Sequence, residues 1–315
     1  MKQRTLIFFA MCLVVSCAGC QIAAGPSLDT TVPAPSTPIN AQTEAPTVTA
    51  TPAPTSVPTS TPIVAPEAIP PMERRGWELV WHDEFGGDVI NRENWQFEIG
   101  GWGFGNGEAQ HYSDRPENAR VENGLLVIEA RFEKVETNYY TSAKLFSQDL
   151  QEFQYGHIEA RTKVPPGAGL WPAFWMLGHD YKPHFDEDGV YTSNWPDVGE
   201  IDIMEYVGRE PKLILGTAHG PGYAGALGMS RWNPQEFDIA DDFHTYAIEW
   251  NEEGISWFFD DELYYTLNRE AIGEREWVFD KPFYLILNLA VGGTFAGSIG
   301  LDTQFPANYY VDYVR

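Results

Sequence analysis

From Trp77 to the C-terminus, apolar and polar residues alternate in short runs broken by turn residues, the mark of β-strands with one buried face. Arg120 to Glu133 reads as a hairpin, with Val121 on one arm and Leu125, Leu126, Val127 and Ile128 on the other. Asn123-Gly124 joins the arms, and both residues tolerate the positive φ that a two-residue hairpin turn requires. Trp77 to Trp81 opens the domain as a further strand. Others are expected at 140–147, 155–164, 170–178, 199–207, 212–219, 244–251, 254–260, 262–267, 283–290 and 308–314. No helical period is sustained beyond a short turn near 91–95. Many strands with no helices between them predict an all-β fold, an antiparallel two-sheet sandwich.

One strand departs from simple alternation. Gly199 to Gly208 reads Gly-Glu-Ile-Asp-Ile-Met-Glu-Tyr-Val-Gly. On a regular strand Glu200 and Asp202 share a face and Glu205 points the other way. A helix does not gather them either, because helical neighbours are three or four apart and Glu200 and Glu205 are five apart. A β-bulge around Ile203 and Met204 restores the parity, and bulges concentrate beside active sites. Three carboxylates on one surface raise at least one pKa, so the cluster can hold both an acid and a base near neutral pH. Retaining glycosidic cleavage uses such a pair, with carboxyl groups roughly 5 Å apart. A solvated strand face and a divalent metal site are the alternatives. Trp171, Trp175, Trp195 and Tyr206 close by in sequence speak against the first, and the lack of a nearby histidine pair speaks against the second.

Charge narrows the substrate. After residue 71 there are 18 basic residues against 42 acidic ones. Such a surface repels nucleic acid, anionic lipid and sulfated polysaccharide and is compatible with a neutral glycan. Aromatic residues make up 14% of the chain, with eleven tryptophans, and those beyond the needs of a core suit stacking on sugar rings. The cysteines, Cys12, Cys17 and Cys20, all precede this domain, so it has neither disulfides nor thiol chemistry. Residues 1–20 read as an export signal, with Lys2 and Arg4 before an apolar run from Leu6 to Val15. Ala18-Gly19-Cys20 resembles the end of a bacterial lipobox, which implies lipid anchoring to the membrane through Cys20, with plain secretion as the alternative. Residues 21–71 are rich in Pro, Thr, Ala and Ser and read as a semi-rigid spacer ahead of a folded domain expected at 72–315.

Leu-Trp-Pro-Ala-Phe-Trp-Met-Leu at 170–177, followed by Glu-Ile-Asp-Ile-Met-Glu, resembles glycoside hydrolase family 16 in its bacterial laminarinase-type branch, and Asp83-Glu84-Phe85 resembles the family's opening signature. The resemblance implies a curved jelly roll with a glycan cleft across its concave sheet, acting as a monomer without a catalytic cofactor. It implies endo-acting, retaining hydrolysis of β-1,3 bonds in laminarin-like β-glucans, with mixed-linkage β-1,3-1,4-glucan as a secondary substrate. By position Glu200 is then the nucleophile, Glu205 the acid/base, and Asp202 the residue that holds the nucleophile's charge and geometry. The same resemblance places Asn106, Glu159, Arg161, Trp175, Trp195, His219 and Asn288 in the cleft. It also implies one structural calcium held by Glu84, the carbonyl of Gly124 and Asp312. An agarase-type galactan hydrolase and a non-catalytic glycan-binding jelly roll are the competing readings; binding-only relatives tend to lose one or more of the acids, and all three are present.

Overall fold

The computed structural model describes residues Glu73–Arg315. The segments expected to act as an export signal, a lipidation site at Cys20 and a spacer over 21–71 lie outside the described residues. Among the described residues, eight strands form one sheet and nine form another. The first has Leu170–Gly178 and Glu200–Glu205 at its centre, flanked by Phe283–Val291 on one side and by Leu213–His219, then Met229–Pro234, on the other. The second includes Leu125–Val135, Gly156–Lys163, His244–Trp250, Gly254–Phe259 and Ala307–Val314. Pairing is antiparallel except between Gln110–Tyr112 and Asn138–Ser142, which run parallel, so the second sheet is mixed.

Alternation along Leu170–Gly178 separates the two faces of the acid-bearing sheet. Phe174 and Met176 are fully buried in the core, with Trp257, Ile248 and Tyr246 of the opposite sheet in the same cluster. Trp171, Ala173, Trp175 and Leu177 take the other face, the one that carries the acids. The hairpin forms as expected, with Glu122 opposite Leu125 and with Asn123 and Gly124 at φ 56° and 76°.

Three expectations need correction, and one strand arises where none was expected. Trp77 to Trp81 is irregular rather than a strand, and Leu79 and Val80 remain exposed. Met229–Pro234, not foreseen, is the edge strand of the acid-bearing sheet; every residue in it is partly or fully exposed, so it lacks the alternation that marks a half-buried strand. Glu159 and Arg161 lie in the nine-stranded sheet, not in the cleft. Their neighbours Ile158 and Ala160 point into the core, so both face away from it on the far side of the sandwich. There Glu159 accepts from Arg74 at 2.6 Å and Tyr313 at 2.7 Å, and Arg161 donates to Asp312 at 2.8 Å. That last pair also bears on calcium. Asp312 is engaged by Arg161, and both oxygens of Glu84 accept from Arg315 at 2.8 Å. A guanidinium already meets each carboxylate, so these residues as placed do not form a calcium chelate with Gly124.

Candidate active site

The acidic strand is bulged where parity requires it. Glu200 lies opposite Leu177 and Asp202 opposite Trp175, but Met204 is opposite Phe174 and Glu205 opposite Ala173, which leaves Ile203 as the extra residue. On the other flank Glu200 faces His219, Asp202 faces Thr217 and Glu205 faces Leu215. All three acids therefore emerge on one face. Gly216 sits across from the bulge, where a Cβ would come within 2.6 Å of the Trp257 ring. Trp257 reaches over from the opposite sheet and donates its indole N–H to the carbonyl of Asp202 at 2.9 Å. This fixes a backbone group that the bulge frees from the regular ladder.

Register then arranges the floor in rows. One row reads Lys144, Asn288, Ala173, Glu205, Leu215 and Trp232. The next reads Ile286, Trp175, Asp202, Thr217 and Ser230, and the third Tyr284, Leu177, Glu200 and His219. Trp175 donates to Asn288 at 2.7 Å, and the Lys144 ammonium lies 5.1 Å from the Trp175 ring. Asn288 in turn donates to Tyr112 at 3.1 Å, Tyr112 to Glu108 at 3.4 Å, and Asn106 to Glu108 at 3.2 Å. Asn106, Asn288 and Trp175 are thus joined in one network. At the Glu200 end, Trp195 donates to Glu200 at 3.1 Å and its ring meets His219 edge-on at 5.9 Å. Beyond Glu205, Trp232 stacks on Phe295, which contacts Trp171. Of the residues expected in the cleft, Glu159 and Arg161 alone are placed elsewhere.

Burial dominates the electrostatics. It pushes Glu200 up to about 8, with the Asp202 charge adding to the rise, while His219, Lys144 and the Trp195 hydrogen bond oppose it. Burial likewise pushes Asp202 up to about 8. Glu205 is held well above the carboxylate range, first by burial and then by Asp202, against the pull of His219. Glu200 retains the most solvent contact, 17% of its side chain against 6% for Asp202, and has a direct indole donor. It is the acid that ionises most readily, and Glu205 the one that keeps its proton.

The family model described as Glycosyl hydrolases family 16 matches residues 106–315. The chain belongs to this family. A β-glucanase of Rhodothermus marinus is 46% identical over 248 residues, covering 76% of this chain and 84% of that protein. Among solved structures, the catalytic domain of an endo-1,3-β-glucanase (laminarinase) from Thermotoga petrophila is 45% identical with a TM-score of 0.69, over 76% of this chain and 96% of its own. The endo-β-1,3-glucanase of Pyrococcus furiosus is 46% identical with a TM-score of 0.69, over 76% and 93%.

Several residues of this family 16 site carried little sequence signal. Glu108 and Tyr112 act through the network that ends on Trp175, and Lys144 was visible only as one position of an expected strand. Trp257 likewise was only one position of the strand expected at 254–260, because its role is a bond to a main-chain carbonyl from the other sheet. Trp257→Phe keeps an aromatic ring and leaves the Asp202 carbonyl unpaired in the core. It should cost about 1–3 kcal/mol of stability and lower kcat with little change in KM, as read by denaturant unfolding and laminarin kinetics; wild-type values for both would show that the indole does not hold the bulge.

Proposed function

We propose that this chain is a retaining endo-β-1,3-glucanase acting on laminarin-like glucans, with Glu200 as nucleophile and Glu205 as acid/base. The observation that carries the proposal is the single extra residue, Ile203, which turns three acids to one face with the least solvated of the outer pair held protonated. Glu205 gives its proton to the glycosidic oxygen as the Glu200 carboxylate attacks the anomeric carbon, which breaks the C–O bond and forms a glycosyl ester. Glu205, now a carboxylate, takes a proton from water, whose oxygen attacks the same carbon and frees Glu200. Every proton and electron pair in these steps belongs to a side chain, the glycan or water. Asp202, between the two, sets the charge against which Glu200 ionises. Trp195 offers a ring face to sugars at the Glu200 end and Trp175 one in the Asp202 row.

Digestion of laminarin, lichenan and agarose side by side tests the substrate. Laminarin should give a ladder of short oligosaccharides from early times, lichenan fewer products, and agarose none; release from agarose alone would reject the proposal. The proton assignments predict pH behaviour. The ascending limb of kcat/KM follows ionisation of Glu200. Trp195→Phe removes the hydrogen bond that favours the Glu200 carboxylate, so the limb should move to higher pH. Asp202→Asn removes the charge that opposes ionisation, so the limb should move to lower pH in whatever activity remains. Shifts of the opposite sign would place the titrating group elsewhere.

A further inference from the structure

Glu200, Asp202 and His219 offer more than acid–base chemistry. His219 Nε2 lies 3.2 Å from Asp202 Oδ2 and 3.7 Å from Glu200 Oε1, and the three atoms all fall within 4.8 Å of one another. Asp202 is 4% exposed, and its Oδ2, the atom nearest the imidazole, has no hydrogen-bond partner. A buried carboxyl oxygen that has only an imidazole nitrogen beside it, out of hydrogen-bond geometry, is costly and invites a cation. The ring is held in place from behind: a Cβ on Gly228 would come within 2.5 Å of His219 Cε1, so only glycine lets the backbone approach this closely.

These separations suit a small cation. Tetrahedral zinc takes oxygen and nitrogen at about 2.0–2.2 Å, which sets neighbouring ligands roughly 3.3 Å apart. The two histidine separations are near this value, and Glu200, the most solvated of the three acids' side chains at 17%, can rotate to close the third. One imidazole with two carboxylates selects zinc, cobalt or copper. Calcium prefers six to eight oxygens and magnesium keeps an octahedral water shell, so neither is matched.

We propose that Glu200, Asp202 and His219 form an inhibitory site for one divalent ion of the zinc class, which shuts off hydrolysis by occupying the attacking oxygen of Glu200. Cation and glycan then exclude one another. The proposal goes beyond the glucanase reading, and metal uptake does not depend on which glycan is cut.

Titration of untagged wild-type protein with Co2+ gives a direct readout in visible absorption. The expected result is an intense low-symmetry cobalt spectrum saturating at one equivalent, displaced by Zn2+ and unchanged by Ca2+ or Mg2+. His219→Gln and Asp202→Asn, each checked for native circular dichroism, should weaken Co2+ binding by about tenfold or more. Zn2+ should inhibit laminarin hydrolysis over the concentration range in which it displaces cobalt, and added laminarin should relieve the inhibition. No saturable cobalt spectrum, or equal affinity in wild type and both variants, would overturn the site and assign cation binding to the general acidic surface. Full hydrolysis with zinc bound would overturn its inhibitory role. Failure of laminarin as a substrate would leave the cobalt result standing and count against the glucanase alone.

Discussion

Glu200→Ala and Glu205→Ala should each lower the release of reducing ends from laminarin by about 10³-fold or more, while the protein is still retarded on a laminarin affinity gel. The two losses have different origins. Without Glu200 no glycosyl ester forms, and without Glu205 the leaving oxygen departs unprotonated. Binding survives because the aromatic faces of Trp175, Trp195 and Trp232 and the polar network from Asn106 to Asn288 are untouched. Small external anions should restore turnover to Glu200→Ala, since the alanine leaves room for a nucleophile beside the anomeric carbon. Near-normal hydrolysis by either variant, or loss of gel retention in both, would contradict the assignment.

The second large effect concerns stability. Each acid of the cluster binds its proton more tightly in the folded chain than in the unfolded one, where carboxyl pKa values are roughly 4. Between that value and the folded values of about 8 for Glu200 and Asp202, the folded state holds more protons. Stability therefore falls as pH rises through this window, and is unaffected by these groups below it. The double variant Glu200→Gln, Asp202→Asn removes the cost of ionising two buried neighbours. It should melt several degrees above wild type near pH 8 and at the same temperature near pH 4, measured by calorimetry. A variant less stable than wild type at the higher pH would mean that the carboxylates are better solvated or better paired than their burial indicates. The cluster is thus a place where the fold gives up stability for chemistry.

The sequence made some of this legible for identifiable reasons. Glu200, Asp202 and Glu205 could be placed on one face because alternation breaks at a single point, and Leu170–Gly178 could be placed because it is uniformly apolar between glycines. Asn123-Gly124 fixed its hairpin through backbone preference alone. What alternation cannot supply is the identity of the sheet. Glu159 and Arg161 share a face, as their spacing requires, but their strand pairs with His244–Trp250 and Ala307–Val314 and not with the acid-bearing strands. Contacts of long sequence separation were likewise hidden, among them Arg315 on Glu84, Arg161 on Asp312 and Trp257 under the bulge. The edge strand Met229–Pro234 escaped because an exposed strand has no apolar face to betray it.

The proposed mechanism requires that Glu200 attack the sugar that Glu205 helps to release. Incubation with a 2-deoxy-2-fluoro-laminaribiosyl fluoride, which forms the glycosyl ester and slows its hydrolysis, followed by peptide mass spectrometry, tests this directly. One covalent glycosyl group on the peptide containing Glu200, and on that residue within it, is the predicted result. A label on Asp202 or Glu205, or complete turnover with inverted anomeric configuration and no label, would contradict it.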